Sequence, residues 1–347
     1  MKKLVLNIAA FFLIFTLTAQ DEKQFETVSI AFYNVENLFD TINQTDVEDT
    51  EFLPESEKQW NSKRYYAKLD KISTTIADIG KDFTGEPPAV IGLCEVENRS
   101  VIEDIANSEA LAQYNYGIEH FDCWYYRGVD VGLMYRPDYF EVTHSVSYKL
   151  QFPELPDVST RDQLLVSGLL LGEPVHFIVL HYPSRRGGEK RSRPLRIQAA
   201  ELTMHIVDSL QKIDKSAKII IMGDLNDDPI NESIKNVLNS HGDKDNLKDG
   251  ELFNPMANLF KKGIGSLAYR DAWNLFDQII LTPAFVQNDY SNWTFYKALI
   301  YNKPFLMQQE GRFKGYPFRT FVGNTYQGGY SDHFPAYIYL IRELKSE

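Results

Sequence analysis

The run Lys218-Ile219-Ile220-Ile221-Met222-Gly223-Asp224-Leu225-Asn226-Asp227 decides how this chain reads. Its first half is a buried strand. Its second half is two acids and an amide, with Gly223 allowing a close backbone turn. A buried Asp is costly unless it is paired or bound, so a strand ending this way brings its polar end to a place of use. Asp224 and Asn226 are two residues apart and point the same way in an extended segment. An acid beside an amide holds an attacking water and a phosphate oxygen without repelling the phosphate twice. An Asx turn over Asp227-Asp228-Pro229 explains the same residues with no chemistry, so the motif needs company.

It has company. Asn34 in Tyr33-Asn34-Val35-Glu36-Asn37, Glu95 in Leu93-Cys94-Glu95-Val96-Glu97-Asn98 and His181 in Leu180-His181-Tyr182-Pro183-Ser184 each follow directly on an apolar strand. In layered α/β proteins the strand ends and the loops beyond them form the site. Glu95 and Asn34 are the expected metal ligands, with Glu36 and Glu97 as competitors that spacing does not separate. Mg²⁺ takes one or two protein carboxylates and keeps several waters; Mn²⁺ or Ca²⁺ can stand in its place. His181 is expected to donate to a phosphate oxygen, oriented by Asp130 of Gly128-Val129-Asp130-Val131-Gly132.

Ser331-Asp332-His333 offers a general base. An imidazole needs a partner to fix its tautomer, and Asp277, which interrupts the apolar run Leu275 to Ile280, is the candidate. Asp332 is a further candidate metal ligand. The segment Ser184 to Arg196 carries five arginines and one lysine. Guanidinium forks match phosphate oxygens, so Arg185, Arg186 and Arg191 are expected to bind substrate phosphate, although most charge runs are solvated surface. The aromatic run Phe121 to Arg127 reads as core or sheet-edge packing rather than a base-stacking platform.

The spacing predicts strands ending at Asn34, Glu95, His181 and Asp224, and others over 129–135, 164–171, 276–281 and from Ala336 onward. Helices are expected around Leu69-Ile72-Ile76-Ile79, stopped by Gly80, from a Ser100/Glu103 capping box, from Pro194 to Leu210, and after an Asn231 cap. Several neighbouring strands lack an intervening helix, so an α/β fold with mixed sheets fits better than a purely parallel one.

The chain has 347 residues, 44% of them hydrophobic, which is ample for a large core. No repeat or linker interrupts it, and one domain over residues 25–345 is expected. Residues 1–19 read as a signal peptide: Lys2-Lys3, a short apolar run, then Ala19. The protein is therefore expected to be secreted or periplasmic, with no transmembrane segment in the mature chain. The formal charge is −12, and losing two lysines with the signal takes it to −14. An anionic substrate must be met by local positive charge or by metal. Cys94 and Cys123 are more readily read as unpaired than as a disulfide.

The ordered motifs, above all Gly223-Asp224-Leu225-Asn226-Asp227 and Ser331-Asp332-His333-Phe334-Pro335, resemble the endonuclease/exonuclease/phosphatase superfamily from about Ile30 to Tyr339. Asn34, Glu95, His181, Asp224, Asn226, Asp277, Asp332 and His333 match its motif positions in turn, and His-Tyr-Pro-Ser-Arg-Arg-Gly-Gly resembles secreted bacterial members called endonucleases. The resemblance implies a four-layered α/β sandwich, two mixed β-sheets packed face to face and flanked by helices, and Mg²⁺-dependent phosphoester hydrolysis. The resulting expectation is a phosphodiesterase acting on nucleic acid, with a phosphatase or lipid phosphodiesterase as the alternative. No stable protein partner is inferred. Glu95, Asn34 and Asp332 would serve the metal; His333, supported by Asp277, would take a proton from water positioned by Asp224; Asn226 and His181 would hold the phosphate.

Overall fold

A computed structural model describes residues 24–287 and 289–344. The expected signal peptide lies outside the described residues. Among the described residues no helix is long and apolar enough to cross a membrane.

Two mixed sheets dominate. The first has six strands, in the spatial order Thr294–Ile300, Ala336–Glu343, Phe25–Leu38, Val90–Val96, Asp130–Tyr135, Gly117–His120. The second has seven, in the order Phe140–Tyr148, Gln163–Leu170, Glu173–His181, Ile219–Asp224, Asp277–Leu281, Leu252–Phe253, Ser240–His241. Each sheet has a parallel pair near its middle: Phe25–Leu38 with Val90–Val96, and Glu173–His181 with Ile219–Asp224. Each pair is flanked by an antiparallel strand that starts where the pair ends, Ala336–Glu343 in one sheet and Asp277–Leu281 in the other.

Side-chain alternation assigns the layers. Phe177, Val179, Ile220, Met222 and Ile279 face the first sheet and share a core with Phe32, Val90 and Ile338. Ile178, Leu180, Ile219, Ile221 and Ile280 face outward onto Ala199, Ile206 and Val207 of the helix Glu189–Ile213. On the opposite side, Ile72 and Ile76 of Ser62–Asp78 and Ile102 and Ile105 of Arg99–Ala106 cover the first sheet. Helix, sheet, sheet, helix is the four-layered sandwich.

Three helix starts differ from expectation. Asn98, not Ser100, caps the helix Arg99–Ala106 by accepting from Val101 N at 3.1 Å. Both residue types cap well, and the earlier one captures the turn. The long helix begins at Glu189, not Pro194, because Gly188 at φ 109° sets the break and Glu189 pairs with Arg193 one turn on. Much of the expected arginine loop is therefore helix. A helical segment does follow Asn231, over Ser233–Val237, but Glu232 holds its cap position with no side-chain bond, and the Asn231 carboxamide oxygen instead accepts from Asp228 N at 2.7 Å.

At Gly92 the first sheet lies tight against the second. A Cβ there would sit 3.0 Å from Met222 Sδ, 3.1 Å from Val179 Cγ1 and 3.2 Å from Phe32 Cδ2. Overpacking a filled core costs about 1–3 kcal/mol. Gly92→Val is accordingly expected to lower unfolding stability by about that much in urea titration, whereas Gly172→Ala, in open space but at φ 85°, tests backbone strain alone.

Candidate active site

The parallel pairs carry their polar ends to one rim of the sandwich. Asn34 is buried there, and its Nδ2 donates to Asp224 Oδ2 at 3.1 Å and toward Glu95 Oε1 at 3.4 Å. Its Oδ1 is occupied by Glu36 N at 2.9 Å. The amide nitrogen, not the oxygen, thus faces the carboxylates. In this arrangement Asn34 turns a nitrogen, not the expected oxygen, toward Glu95.

Backbone strain aims these groups. Glu36, Asn37, Glu95 and Asn226 all have positive φ, at 52°, 47°, 62° and 48°, a region costly for non-glycine residues and frequent at functional sites. The register shifts beside Asn34 and between Cys94 and Val96. These bulges turn Glu95 out of strict alternation, so its half-buried carboxylate meets Asn37 N at 2.8 Å through Oε2. Glu97 instead turns away to accept from Asp40 N, and burial pushes its carboxyl up to about 8. Glu36 is occupied by Thr320 N at 2.7 Å and Arg319. Of the three competing glutamates, only Glu95 keeps an oxygen, Oε1, toward His181 Nε2 at 4.0 Å.

Asp224 and Asp277 sit opposite each other across the antiparallel strands. Asp277, fully buried, bonds His333 Nδ1 at 2.6 Å. His333 Nε2 points back to Asp224 Oδ2 and Asp332 Oδ1, each at 3.9 Å. Burial alone would lower the imidazole's pKa, but Asp277, Asp224 and Asp332 raise it well above the ordinary value. His181 has no such neighbour on Nδ1, which is buried without a hydrogen-bond partner among the described residues. Burial, then Arg161, His333 and Arg127, hold it well below the usual histidine range. Burial raises the Asp224 carboxyl to about 7, against the pull of His333. Asp224, Asp277 and His333 also place ligand atoms within 4.8 Å of one another, so the rim holds acidic groups able to take a cation.

Two expected roles move. Asp130 does not reach His181. Its strand pairs with Gly117–His120, so its carboxylate bonds His120 Nε2 at 3.1 Å and Cys123 N at 3.2 Å. Asp332 is ion-paired to Arg319, and that pair competes with the expected metal role. Cys94 and Cys123 are both free.

The arginines divide. Arg185 donates to Asn226 O at 2.8 Å, Asp227 Oδ1 at 2.9 Å and Asn231 Oδ1 at 2.9 Å, and stacks on Phe276. Arg196 is fully buried, 2.8 Å from Asp227 Oδ2. These two clamp the turn that presents Asn226, whose Nδ2 is further tied to Tyr182 O at 3.1 Å. Arg186 and Arg191 remain exposed, and among the described residues neither has an ion-pair partner. Sequence reasoning missed Arg319, and it left Ser331 without a role. Ser331 Oγ donates to Asn34 O at 2.7 Å and accepts from His333 N at 3.1 Å, locking the last motif to the first strand.

The rim thus gathers buried carboxylates, an amide and two histidines whose environments push their pKa values in opposite directions. The sequence profile of the Endonuclease/Exonuclease/phosphatase family matches residues 29–342, and the chain belongs to that family. Its members are phosphoester hydrolases, so the chain is an enzyme of that class. Among solved structures it is similar to an endonuclease/exonuclease/phosphatase family protein from Bacteroides thetaiotaomicron, with TM-score 0.53 and 16% identity over 94% of this chain and 98% of that one. TDP2 from Caenorhabditis elegans matches with TM-score 0.55 and 14% identity over 90% and 74%. A mannosyl-6-phosphatase from Bacteroides thetaiotaomicron matches with TM-score 0.52 and 16% identity over 90% and 99%. At such identities the likeness is one of fold. No curated protein matches the chain in sequence.

The division of the arginines is testable. Removing one partner of a buried charged hydrogen bond costs about 1–3 kcal/mol, whereas exposed substitutions stay within about 0.5 kcal/mol. Arg185→Ala is expected to destabilise the fold by the larger amount and Arg186→Ala by the smaller, read from paired denaturation curves.

Proposed function

We propose that this protein is a divalent-metal-dependent phosphodiesterase that cuts nucleic acid after export from the cytoplasm. The cleft beside the site carries the reading. It encloses about 1240 Å³, with Asp332 and Arg319 in its wall, more than the roughly 300–1,000 Å³ of a small-molecule pocket. Arg186, Arg270 and Arg312 line it without ion-pair partners among the described residues. Exposed rings of Tyr269 and Phe313 stand beside them. Unpaired guanidinium groups interleaved with aromatics, in a chain of net charge −12, suit a substrate with several phosphates and bases. Export rests on residues 1–19 alone.

Glu95 is the residue fitted to hold the cation. It is a half-buried carboxylate at the rim, with Oε2 fixed by Asn37 N and Oε1 held only by a long contact from Asn34, and a hard cation needs little more from the protein than that. The cation, when bound, supplies a Lewis acid for a phosphate oxygen. The chain's own groups do the rest. Asn34 and Asn37 hold Glu95. His333, kept cationic by Asp277, is a donor to the charge that builds on phosphate, and with Asn226 and His181 it fixes that phosphate. Asp224, poised near neutrality, takes the proton from the attacking water. This exchanges the roles first expected for Asp224 and His333, because an imidazolium has no site for another proton.

Three outcomes are expected. EDTA should abolish hydrolysis of plasmid DNA and of bis-p-nitrophenyl phosphate, and Glu95→Gln should sharply weaken Mg²⁺ activation; an unchanged titration sinks the ligand assignment. In kcat/KM the rate should rise with pH as Asp224 deprotonates near 7 and fall once His333 loses its proton. His333→Gln should cost about 10²–10⁴-fold yet keep the rising limb; if that limb vanishes instead, His333 is the base. Replacing Arg186, Arg270 and Arg312 by Gln should raise KM for DNA and flatten its salt dependence, leaving the small diester nearly unaffected. Efficient hydrolysis of sugar phosphates with none of DNA would make the protein a phosphatase.

A further inference from the structure

Glu36 is a buried carboxylate at the rim that none of the steps above uses. Its backbone lies between Asn34 and Asn37, both of which bond Glu95. Lys68, buried under the site on the helix Ser62–Asp78, donates to its carbonyl oxygen. Its side chain reaches the other way. Oε2 accepts Thr320 N at 2.7 Å, and Oε1 lies 3.8 Å from Arg319 Nε. Arg319 is thus gripped twice by one carboxylate, through the next residue's backbone and through its own guanidinium. A second carboxylate, Asp332, takes its NH2. That same Asp332 stands 3.9 Å from His333 Nε2.

Arg319 nevertheless remains open to the cleft, with 45% of its side chain exposed. A guanidinium has five N–H donors. Glu36 faces the Nε edge and Asp332 the NH2 group, and no hydrogen bond or ion pair of NH1 is present among the described residues. Five carboxylates converge here, from Glu36, Glu95, Asp224, Asp277 and Asp332, and they repel an incoming phosphate. A cation at Glu95 offsets that repulsion on one side. We propose that Arg319 offsets it on the other: held by Glu36 and Asp332, it presents its free edge to a non-bridging oxygen of the scissile phosphate. It is then a catalytic residue, and Glu36 and Asp332 are its positioning residues. The assignment concerns the phosphate itself and holds whichever phosphoester is cut.

The test uses bis-p-nitrophenyl phosphate, which occupies only the scissile position, so its outcome is separate from the nucleic-acid reading. Arg319→Gln should lower kcat/KM by about 10²–10³-fold, the usual loss of one preorganised donor to a developing anion. It should also weaken competitive inhibition by added inorganic phosphate at least tenfold, measured well below the melting temperature of the variant. Arg319→Lys, which keeps the charge but not the fork, should recover only part of the phosphate affinity. In Arg319→Ala, added guanidinium at millimolar concentration should restore part of the rate. Glu36→Gln should raise the inhibition constant for phosphate less than Arg319→Gln, and the double variant should add nothing further. Wild-type inhibition by phosphate in Arg319→Gln, or in Arg319→Lys should Arg319→Gln fail to fold, overturns the proposal, as does an activity loss that tracks a lowered melting temperature and resists guanidinium.

Discussion

One carboxamide joins the two halves of the site. Asn34 leaves the middle of the first sheet and donates to Asp224 at the end of the second and toward Glu95 beside it. That geometry is possible only because both parallel pairs end at the same rim, and they end there because the sheets stack with those pairs facing. Gly92 leaves room for Met222 and Val179 of the second sheet. A buried amide with both ends satisfied has little freedom to turn. It therefore fixes the separation between Glu95 and Asp224. Packing of the sandwich and alignment of the chemistry are a single constraint.

The strained backbone belongs to the same constraint. Four non-glycine residues at the rim adopt positive φ, and each also has a hydrogen-bonded or ion-paired side chain there. Strain of this kind costs roughly 1–3 kcal/mol per residue and persists only when surrounding bonds over-determine it. For Asn226 the surrounding bonds are known: its N donates to Asp224, its carbonyl accepts from Arg185, and its amide donates to Tyr182 O. Asp227, held by Arg185 and Arg196, anchors the far side. The arginine-rich segment thus spends much of its charge on shape rather than on substrate.

What was legible in the sequence were the strand ends. Asn34, Glu95, His181 and Asp224 announce themselves because an apolar run followed by a polar cluster is costly without a reason, and the family resemblance ordered them. The pairing of Asp277 with His333 was legible for a similar cause, an acid interrupting an apolar run. What failed were statements that depend on register or side-chain direction. Asp130 meets His120 because of an antiparallel pairing between two strands that spacing does not reveal. The orientation of the Asn34 amide likewise depends on a bulge and on Glu36 N, which residue type does not reveal. Arg319 lies in an aperiodic stretch of more than thirty residues between the strands Thr294–Ile300 and Ala336–Glu343, with nothing local to mark it.

Arginine shows why composition alone misleads at such a site. Arg196 is fully buried and purely structural, Arg185 is structural with one face on the cleft, and Arg186 is exposed without an ion-pair partner among the described residues. All three lie within one twelve-residue stretch of sequence and carry the same charge. What separates them is the supply of carboxylates within reach: Asp227 and Asp228 are consumed by Arg185 and Arg196, and none remains for Arg186. A protein of net charge −12 has carboxylates to spare overall, so leaving guanidinium groups unpaired along one cleft is a local choice against the global balance. An ion pair at the surface would gain little stability, about 0–1 kcal/mol, so the fold gives up almost nothing by leaving these arginines open. On the proposed nucleic-acid reading, a polyanion gains a row of donors not already taken, and the cleft selects for charge in spite of the protein's own.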